Sequence, residues 1–355
     1  LRSAQVAAIE TRDIAGLNSA QIVALGAAQV AGMTTAQVAA LSTAQMSVLT
    51  PIAFRGIETG DIEALSTAQM VALDSSQLSA FNSDQFFAIG TTLTQSLTPD
   101  QFIAVPTDKL STWSTAQISA LTTDQFGQIL DGQLQALTSD QIAALSTDNV
   151  QLLSTAQARL LSSDQLRAMT TGQITALTVD DVVNLKTEQL ASLYASQVGA
   201  FTTDQVAALT SEQVSLLTTK QLRGVNAGQM AALTSSQVVG LNSQQLPALN
   251  SVQLQALNSD AINALLTSQL ALLSSTQFGL LTTQQIGALN TLQASKLNTS
   301  EIAAMSNSQV AALSTANVAA MGTANILQLN SSQFKALTST QMAALTTSQI
   351  RSFGL

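Results

Sequence analysis

The chain of 355 residues contains no cysteine and no histidine, and only 9% of its residues are charged. Without cysteine there are no disulfides, thiol nucleophiles or cysteine-bound metals. Without histidine, the side chain that most often acts as a general base near neutral pH is missing. Most catalytic arrangements are therefore excluded. We predict that the protein is not an enzyme, that it needs no cofactor, and that it has no catalytic, cofactor-binding or metal-binding residues.

Basic patches and long apolar runs are missing as well. The net charge is −9, which argues against nucleic acid as a partner because phosphates require a basic surface. No apolar run approaches the length of about 18 residues that a membrane-spanning helix needs, so we expect no transmembrane segment. The chain begins and ends inside a repeat. We therefore expect it to be a segment of a longer protein.

What the sequence does contain is an eight-residue repeat. Residues 3–354 divide into 44 octads without insertion or deletion, as in "TAQVAALS" at 35–42. Position 3 is Gln in 33 of the 44 octads, and position 7 is a large apolar residue in all of them. Position 4 is a large apolar residue except at Thr94, Ala158 and Ala294. Position 8 is usually Ser, Thr or Asn, so each octad combines an apolar pair with a polar border.

This pattern predicts one short capped helix per octad. Ser or Thr followed three residues later by Gln forms a capping box, in which each side chain satisfies an N–H of the first helical turn. The apolar positions 4 and 7 have the i, i+3 spacing of one helix face. The predicted N-caps include Thr34, Thr210 and Thr218, with Gln37, Gln213 and Gln221 as their capping-box partners. The predicted core includes Val38, Leu41, Val206 and Leu209.

Proline and acidic residues support the same frame. Pro51 and Pro99 both fall at position 1, the first helical position that favours proline. Of the 21 acidic residues, 20 lie at the cap or the next three positions, near the positive end of the helix dipole. Pro247 at position 5 is a misfit, and we expect it to cost its helix one hydrogen bond.

A single octad is too small to fold alone. Its two large apolar side chains contribute roughly 1.5–3 kcal/mol each on burial, whereas ordering eight residues costs roughly 1.5 kcal/mol per residue. The helices must therefore pack on one another, as in solenoid proteins. We predict an all-α solenoid of about 44 repeats that forms one uninterrupted domain over 1–355. Small residues at positions 5 and 6 would allow close helix contacts. The number of octads per turn stays open.

Two local features allow a second interpretation. Aspartates recur at octad spacing, as in Asp100 with Asp108 and Asp140 with Asp148. Stacked repeats could bring such carboxylates together around calcium, although aspartate at position 2 is already expected for a helix start. Residues 91–114 depart most from the consensus and include Trp113. Because Trp113 occupies core position 7, we interpret this segment as a degenerate part of the repeat rather than as a binding site.

The phrase "MTTAQVAALST" at 33–43 resembles repeats of very large bacterial secreted or cell-surface proteins, some of them adhesin-like. The resemblance spans the whole chain and implies an extracellular or cell-surface repeat region. The leading hypothesis is a structural rod, stalk or filament subunit on or outside a bacterial cell. The alternative is an adhesin-like solenoid that recognises a protein or glycan. Partners would be other surface proteins or further copies of the chain, associated end to end or laterally.

Overall fold

The computed structural model describes residues 2–353, and this part of the chain is built from short helices. It contains 44 α-helices of four to seven residues and no strand. The all-α fold and the single short helix per octad are therefore confirmed. The chain divides after Leu177 into two compact units. That all octads form one uninterrupted domain stays a prediction.

The first unit contains helices α1 to α22, which differ in length but recur at the octad spacing. Their bounds are α1 Ser3–Ala7, α2 Thr11–Ala15, α3 Ser19–Val23, α4 Ala27–Val30, α5 Thr35–Ala39, α6 Thr43–Val48, α7 Pro51–Phe54, α8 Thr59–Glu63, α9 Thr67–Val71, α10 Ser75–Ser79, α11 Ser83–Ala88, α12 Gly90–Ser96, α13 Pro99–Ile103, α14 Thr107–Leu110, α15 Thr115–Ser119, α16 Thr123–Phe126, α17 Asp131–Ala136, α18 Ser139–Ala144, α19 Thr147–Gln151, α20 Thr155–Leu160, α21 Ser163–Ala168 and α22 Thr171–Ala176.

The second unit continues the same spacing with helices α23 to α44. Their bounds are α23 Val179–Val183, α24 Thr187–Ser192, α25 Ala195–Val198, α26 Thr203–Ala208, α27 Ser211–Leu216, α28 Thr219–Gly224, α29 Ala227–Ala232, α30 Ser235–Val239, α31 Gln245–Ala248, α32 Ser251–Ala256, α33 Ser259–Ala264, α34 Thr267–Leu270, α35 Ser275–Gly279, α36 Thr283–Gly287, α37 Thr291–Lys296, α38 Thr299–Ala304, α39 Asn307–Ala312, α40 Thr315–Ala320, α41 Thr323–Gln328, α42 Ser331–Lys335, α43 Ser339–Ala343 and α44 Thr347–Ser352.

Within each unit, the principal helix contacts join a helix to the third helix after it, as in α1 with α4 and α15 with α18 in the first unit, and α26 with α29 in the second. Three octads, or 24 residues, therefore make one turn of the solenoid. The sequence left this number open, because each octad shows only that its apolar face is covered and not which octad covers it. None of the helices in the described part is long and apolar enough to span a membrane.

The core of each unit is formed by positions 4 and 7. Val38 and Val206 are 0% and 3% exposed, and Leu41 and Leu209 are 3% and 4% exposed. Trp113 is also buried, with its ring centroid 6.1 Å from that of Phe86. The residue that looked unusual in the sequence is therefore part of a buried aromatic cluster.

Small residues allow neighbouring turns to approach closely. A Cβ atom added at Gly56, which follows α7, would overlap the carbonyl oxygen of Ala27 at the start of α4. A Cβ atom added at Gly60 in α8 would meet nothing within 4 Å. Packing therefore requires glycine at position 56. It does not require glycine at position 60 in the next octad.

Two octads depart from the expected helix start. Helix α12 begins at Gly90, where the cap residue was expected, and Gly90 has a φ of 65°. Glycine adopts this left-handed conformation readily because it has no Cβ atom. Helix α31 begins at Gln245 rather than Ser243, and its Pro247 has no N–H to bond the Ser243 carbonyl. The rule of one helix starting at position 1 is therefore wrong for these two octads.

Candidate functional site: glutamine clamps between turns

Each regular octad begins with reciprocal hydrogen bonds between positions 8 and 3. Thr34 Oγ1 accepts from the Gln37 N–H at 3.3 Å, and Gln37 Oε1 accepts from the Thr34 N–H at 2.8 Å. The pair Thr210 and Gln213 makes the same two bonds at 3.1 and 2.9 Å. The pair Thr218 and Gln221 makes them at 3.2 and 2.9 Å. Two N–H groups that lack a partner within the helix are satisfied in this way.

The amide nitrogen of the same glutamine bonds to the preceding turn of the solenoid. Gln37 Nε2 donates to the carbonyl oxygens of Val6 at 3.0 Å and Ile9 at 2.7 Å, with Ala7 at 3.4 Å. These carbonyls lie four octads earlier, at positions 4, 7 and 5, at the end of a helix. The Val6 carbonyl also accepts from the Ile9 N–H at 3.1 Å, so the glutamine adds a second hydrogen bond there. We call a position-3 glutamine that bonds in both directions a clamp.

The other two predicted glutamines bond in the same manner. Gln221 Nε2 donates to Leu190 at 3.0 Å and Leu193 at 2.9 Å. Gln213 Nε2 donates to the carbonyl oxygen of Val183 at 2.8 Å. Each of these side chains therefore joins the start of its own helix to the end of another.

Glutamine suits this position because its amide is neutral and has two functions. The oxygen accepts hydrogen bonds and the NH2 group donates two. Most of the position-3 glutamines are buried, and Gln37 is 1% exposed. A buried polar group without hydrogen bonds is destabilising. The clamp avoids this cost and also satisfies backbone groups at two helix ends.

Asparagine in the same position makes only part of the clamp. Its side chain is shorter by one methylene group. The Nδ2 atoms of Asn149, Asn317 and Asn325 reach only the carbonyl 28 residues earlier, at 3.1, 2.7 and 2.6 Å. Asn149 Oδ1 is buried without a hydrogen-bond partner. The length of the side chain therefore decides how many backbone groups it satisfies.

Acidic residues occupy the same position in a few octads. Asp61, Asp181 and Glu301 are 4%, 1% and 2% exposed. Glu301 Oε2 accepts from the Asn298 N–H at 2.7 Å, like a glutamine oxygen. Burial raises the pKa of Glu301 above its ordinary value, and the bond from Asn298 only partly opposes this shift. An ionised carboxylate cannot donate to the carbonyls of the preceding turn, so these octads keep only the capping half of the clamp.

Other acidic residues lie in the solvent at helix starts. Asp100 and Asp124, both at position 2, are exposed. The pKa of Asp74 is lowered, first by a hydrogen bond from the Ser76 hydroxyl and then by one from the Gln77 N–H. Between residues 2 and 353 no group of three or more acidic side chains is placed to hold a metal ion.

The half of the clamp that crosses to the preceding turn was not predicted from the sequence. A signal for it was present, since a capping box needs only the side-chain oxygen and accepts Glu as well as Gln. The use of Gln in 33 octads, with Glu in one, indicates that the NH2 group also contributes. The identity of its acceptor depends on the three-octad turn, which the sequence did not provide.

Comparison with known proteins supports a repeat family. Four segments of the chain match the family model of the ALTTAQ repeat, at residues 6–43, 54–91, 179–211 and 315–347. The chain is thus similar to ALTTAQ repeat proteins in both of its units, and it is a repeat protein. The comparison with curated proteins gave no match.

Proposed function

We propose that the chain is a structural repeat region that holds distance, as a rod, stalk or filament subunit on or outside a bacterial cell. The observation that carries this proposal is the clamp, which links helix starts to the ends of helices 28 to 31 residues earlier. Because the links recur in most octads of each unit, bending or extending a unit would break buried hydrogen bonds. Such a repeat therefore resists deformation, which is the property that a spacer needs.

Electron microscopy of the purified chain over a range of concentrations, with light scattering alongside, tests this proposal. A stalk segment is expected to give particles of one uniform length at every concentration. A filament subunit is expected to give particles that lengthen with concentration. Flexible particles of variable contour would contradict a role in holding distance. Immunogold labelling of intact bacterial cells that produce the protein tests the extracellular location, and labelling only after permeabilisation would contradict it.

The alternative is a binding solenoid that recognises a protein or glycan. Two exposed aromatic side chains favour it, because Phe87 is 59% exposed and Tyr194 is 55% exposed. Aromatic residues of this kind are common binding determinants. A glycan array and a surface-protein pull-down test it, with Tyr194→Ser and Phe87→Ser as paired variants. Binding that both variants retain would argue against either residue as part of a recognition site in its own unit.

A further inference from the structure

Asp61 differs from the regular clamps in charge and in length. It occupies position 3 of its octad and is 4% exposed. The one side-chain hydrogen bond that the described residues give it is from the Glu58 N–H to Oδ2, at 3.4 Å. No lysine or arginine forms a salt bridge with it in the described part of the chain. A buried carboxylate with so little compensation is destabilising unless a positive charge is brought to it.

The nearest octads on either side that have glutamine at position 3 show what surrounds this position. Gln45 Nε2 lies 3.0, 3.2 and 2.9 Å from the carbonyl oxygens of Ile14, Ala15 and Leu17. Gln69 Nε2 lies 3.2, 3.3 and 2.8 Å from those of Val38, Ala39 and Leu41. Three carbonyl oxygens thus converge on one point at the end of the clamp side chain. The same spacings of 31, 30 and 28 residues assign Val30, Ala31 and Met33 to Asp61.

The length of the side chain decides what fits at that point. Aspartate is one methylene group shorter than glutamine, so its carboxylate stops short of the place where the amide nitrogen of a clamp lies. By the spacing of the neighbouring clamps, the three carbonyl oxygens lie beyond the end of the Asp61 carboxylate. Carboxylate and carbonyl oxygens are the ligands that calcium prefers, at about 2.3–2.6 Å, and carbonyl oxygens also replace the hydration shell of potassium.

A second aspartate at position 3 shows what a shorter carboxylate can leave without a partner. Asp181 stands at position 3 of an octad in the second unit, and its Oδ2 accepts from the Thr178 N–H at 3.0 Å. Its Oδ1 atom is buried and has no hydrogen-bond partner. At this second position the aspartate therefore leaves a buried oxygen atom that lacks a donor.

We propose that Asp61, with the carbonyl oxygens of Val30, Ala31 and Met33, forms a site for a single partly dehydrated cation that replaces the amide group of a clamp. The ion would link the start of α8 to the end of α4, as Gln69 links α9 to α5. Magnesium is the least suitable candidate because it gives up its water reluctantly and demands octahedral geometry. Calcium, sodium and potassium remain, and experiment distinguishes them.

Hydrogen–deuterium exchange of the full chain tests the site. The amides of α8 are compared in calcium, sodium or potassium chloride and in tetramethylammonium chloride at equal ionic strength. When the bound cation is present at about ten times its Kd, the amides of α8 should exchange about tenfold more slowly. A response to calcium alone supports a divalent site, and a response to sodium or potassium supports a monovalent one. Equal exchange in every salt would overturn the proposal.

Two variants show whether Asp61 is responsible. Asp61→Asn can donate to the Met33 carbonyl, as Asn149 donates 28 residues back, so the variant is expected to fold and to exchange slowly in every salt. Glu63→Gln removes the same charge from an exposed position of the same helix and should keep the cation response. A response that survives in Asp61→Asn, or that disappears in Glu63→Gln, would instead assign the effect to screening of surface charge.

Discussion

At position 3 of the octad, one glutamine side chain satisfies backbone groups that belong to two different turns. Gln173 is a typical example, because it is 2% exposed and accepts from the Thr170 N–H at 2.8 Å. Its Nε2 atom donates to the carbonyls of Ile142 and Leu145, both at 2.8 Å. The same residue therefore determines where its helix begins and which turn lies against it.

Replacing Gln173 separates these two contributions. Gln173→Ala should lower the free energy of unfolding by about 2–4 kcal/mol, because buried backbone groups at both helix ends lose their partners. Gln173→Asn should cost less, since asparagine keeps the bond to the carbonyl 28 residues earlier. Urea unfolding followed by circular dichroism measures both. Equal losses for the two variants would contradict a role of the amide in joining turns.

Glu301 makes stability depend on pH in a defined direction. Its pKa is raised in the folded protein because burial disfavours the charged form. The native state therefore binds the Glu301 proton more tightly than the unfolded chain does. The resulting contribution to the free energy of unfolding is greatest below the ordinary pKa of 4.5. It is lost as pH rises through the folded pKa. No salt bridge of the described residues involves Glu301.

Comparison with Glu301→Gln isolates this effect. Glutamine has the length of glutamate and donates at every pH, so the difference in Tm between the variant and the wild type should grow as pH rises from about 4 to about 7. Thermal unfolding followed by circular dichroism provides the measurement. A difference that stays constant with pH would show that Glu301 does not titrate in this range.

At the scale of the helix, length is limited by what the neighbouring turns can cover. Helices of four to seven residues are too short to be stable alone, because most helical stability in proteins comes from packing. The small residues at positions 5 and 6 allow neighbouring turns to pack backbone against backbone. Gly56 is the clearest example, since any side chain there would overlap the Ala27 carbonyl.

A pair of glycine substitutions distinguishes packing from helix propensity. Gly56→Ala should destabilise the first unit by about 1–3 kcal/mol, because neighbouring turns must separate. Gly60→Ala, four residues later and with open space around the added Cβ, should be neutral or stabilising by up to about 1 kcal/mol. Differential scanning calorimetry of the two variants provides the comparison. Similar effects on Tm would show that the close approach at Gly56 is readily relieved.

At the scale of the whole molecule, stability is built from contacts of constant sequence separation. Helices touch the third helix along the chain, and clamps span 28 to 31 residues. Stability in such a repeat array is nearly a sum of local terms and contacts between neighbours. The number of octads can therefore change without changing the way in which each octad folds.

Deletions within the second unit test this additivity. Removal of residues 203–226, which are three complete octads and one turn, should preserve the helical signal per residue and lower Tm only slightly. Removal of residues 203–222 breaks the octad frame and places polar residues in core positions, so helical signal should be lost around the junction. Far-UV circular dichroism with thermal melts compares the two. Equal losses of helical signal and of Tm from both deletions would contradict a modular repeat.

The sequence by itself determined the helix class, the octad frame, the capping boxes and the buried positions. These are local consequences of hydrogen bonding and of apolar spacing within eight residues. It was correct for Trp113, which is buried because it occupies position 7. It was wrong at Gly90 and Ser243, where a left-handed glycine and a proline move the helix start.

Only the tertiary structure decided that a turn contains three octads and that the glutamine NH2 group bonds to carbonyls four octads earlier. Every octad has nearly the same apolar face, so the sequence pattern is satisfied by any neighbour. Which octads meet is decided by the way successive helices pack within each unit, where each helix contacts the third helix after it. The same geometry gives Asp61 and Glu301 their importance, because an acidic residue at a helix start is unremarkable until its side chain faces the carbonyl ends of another helix.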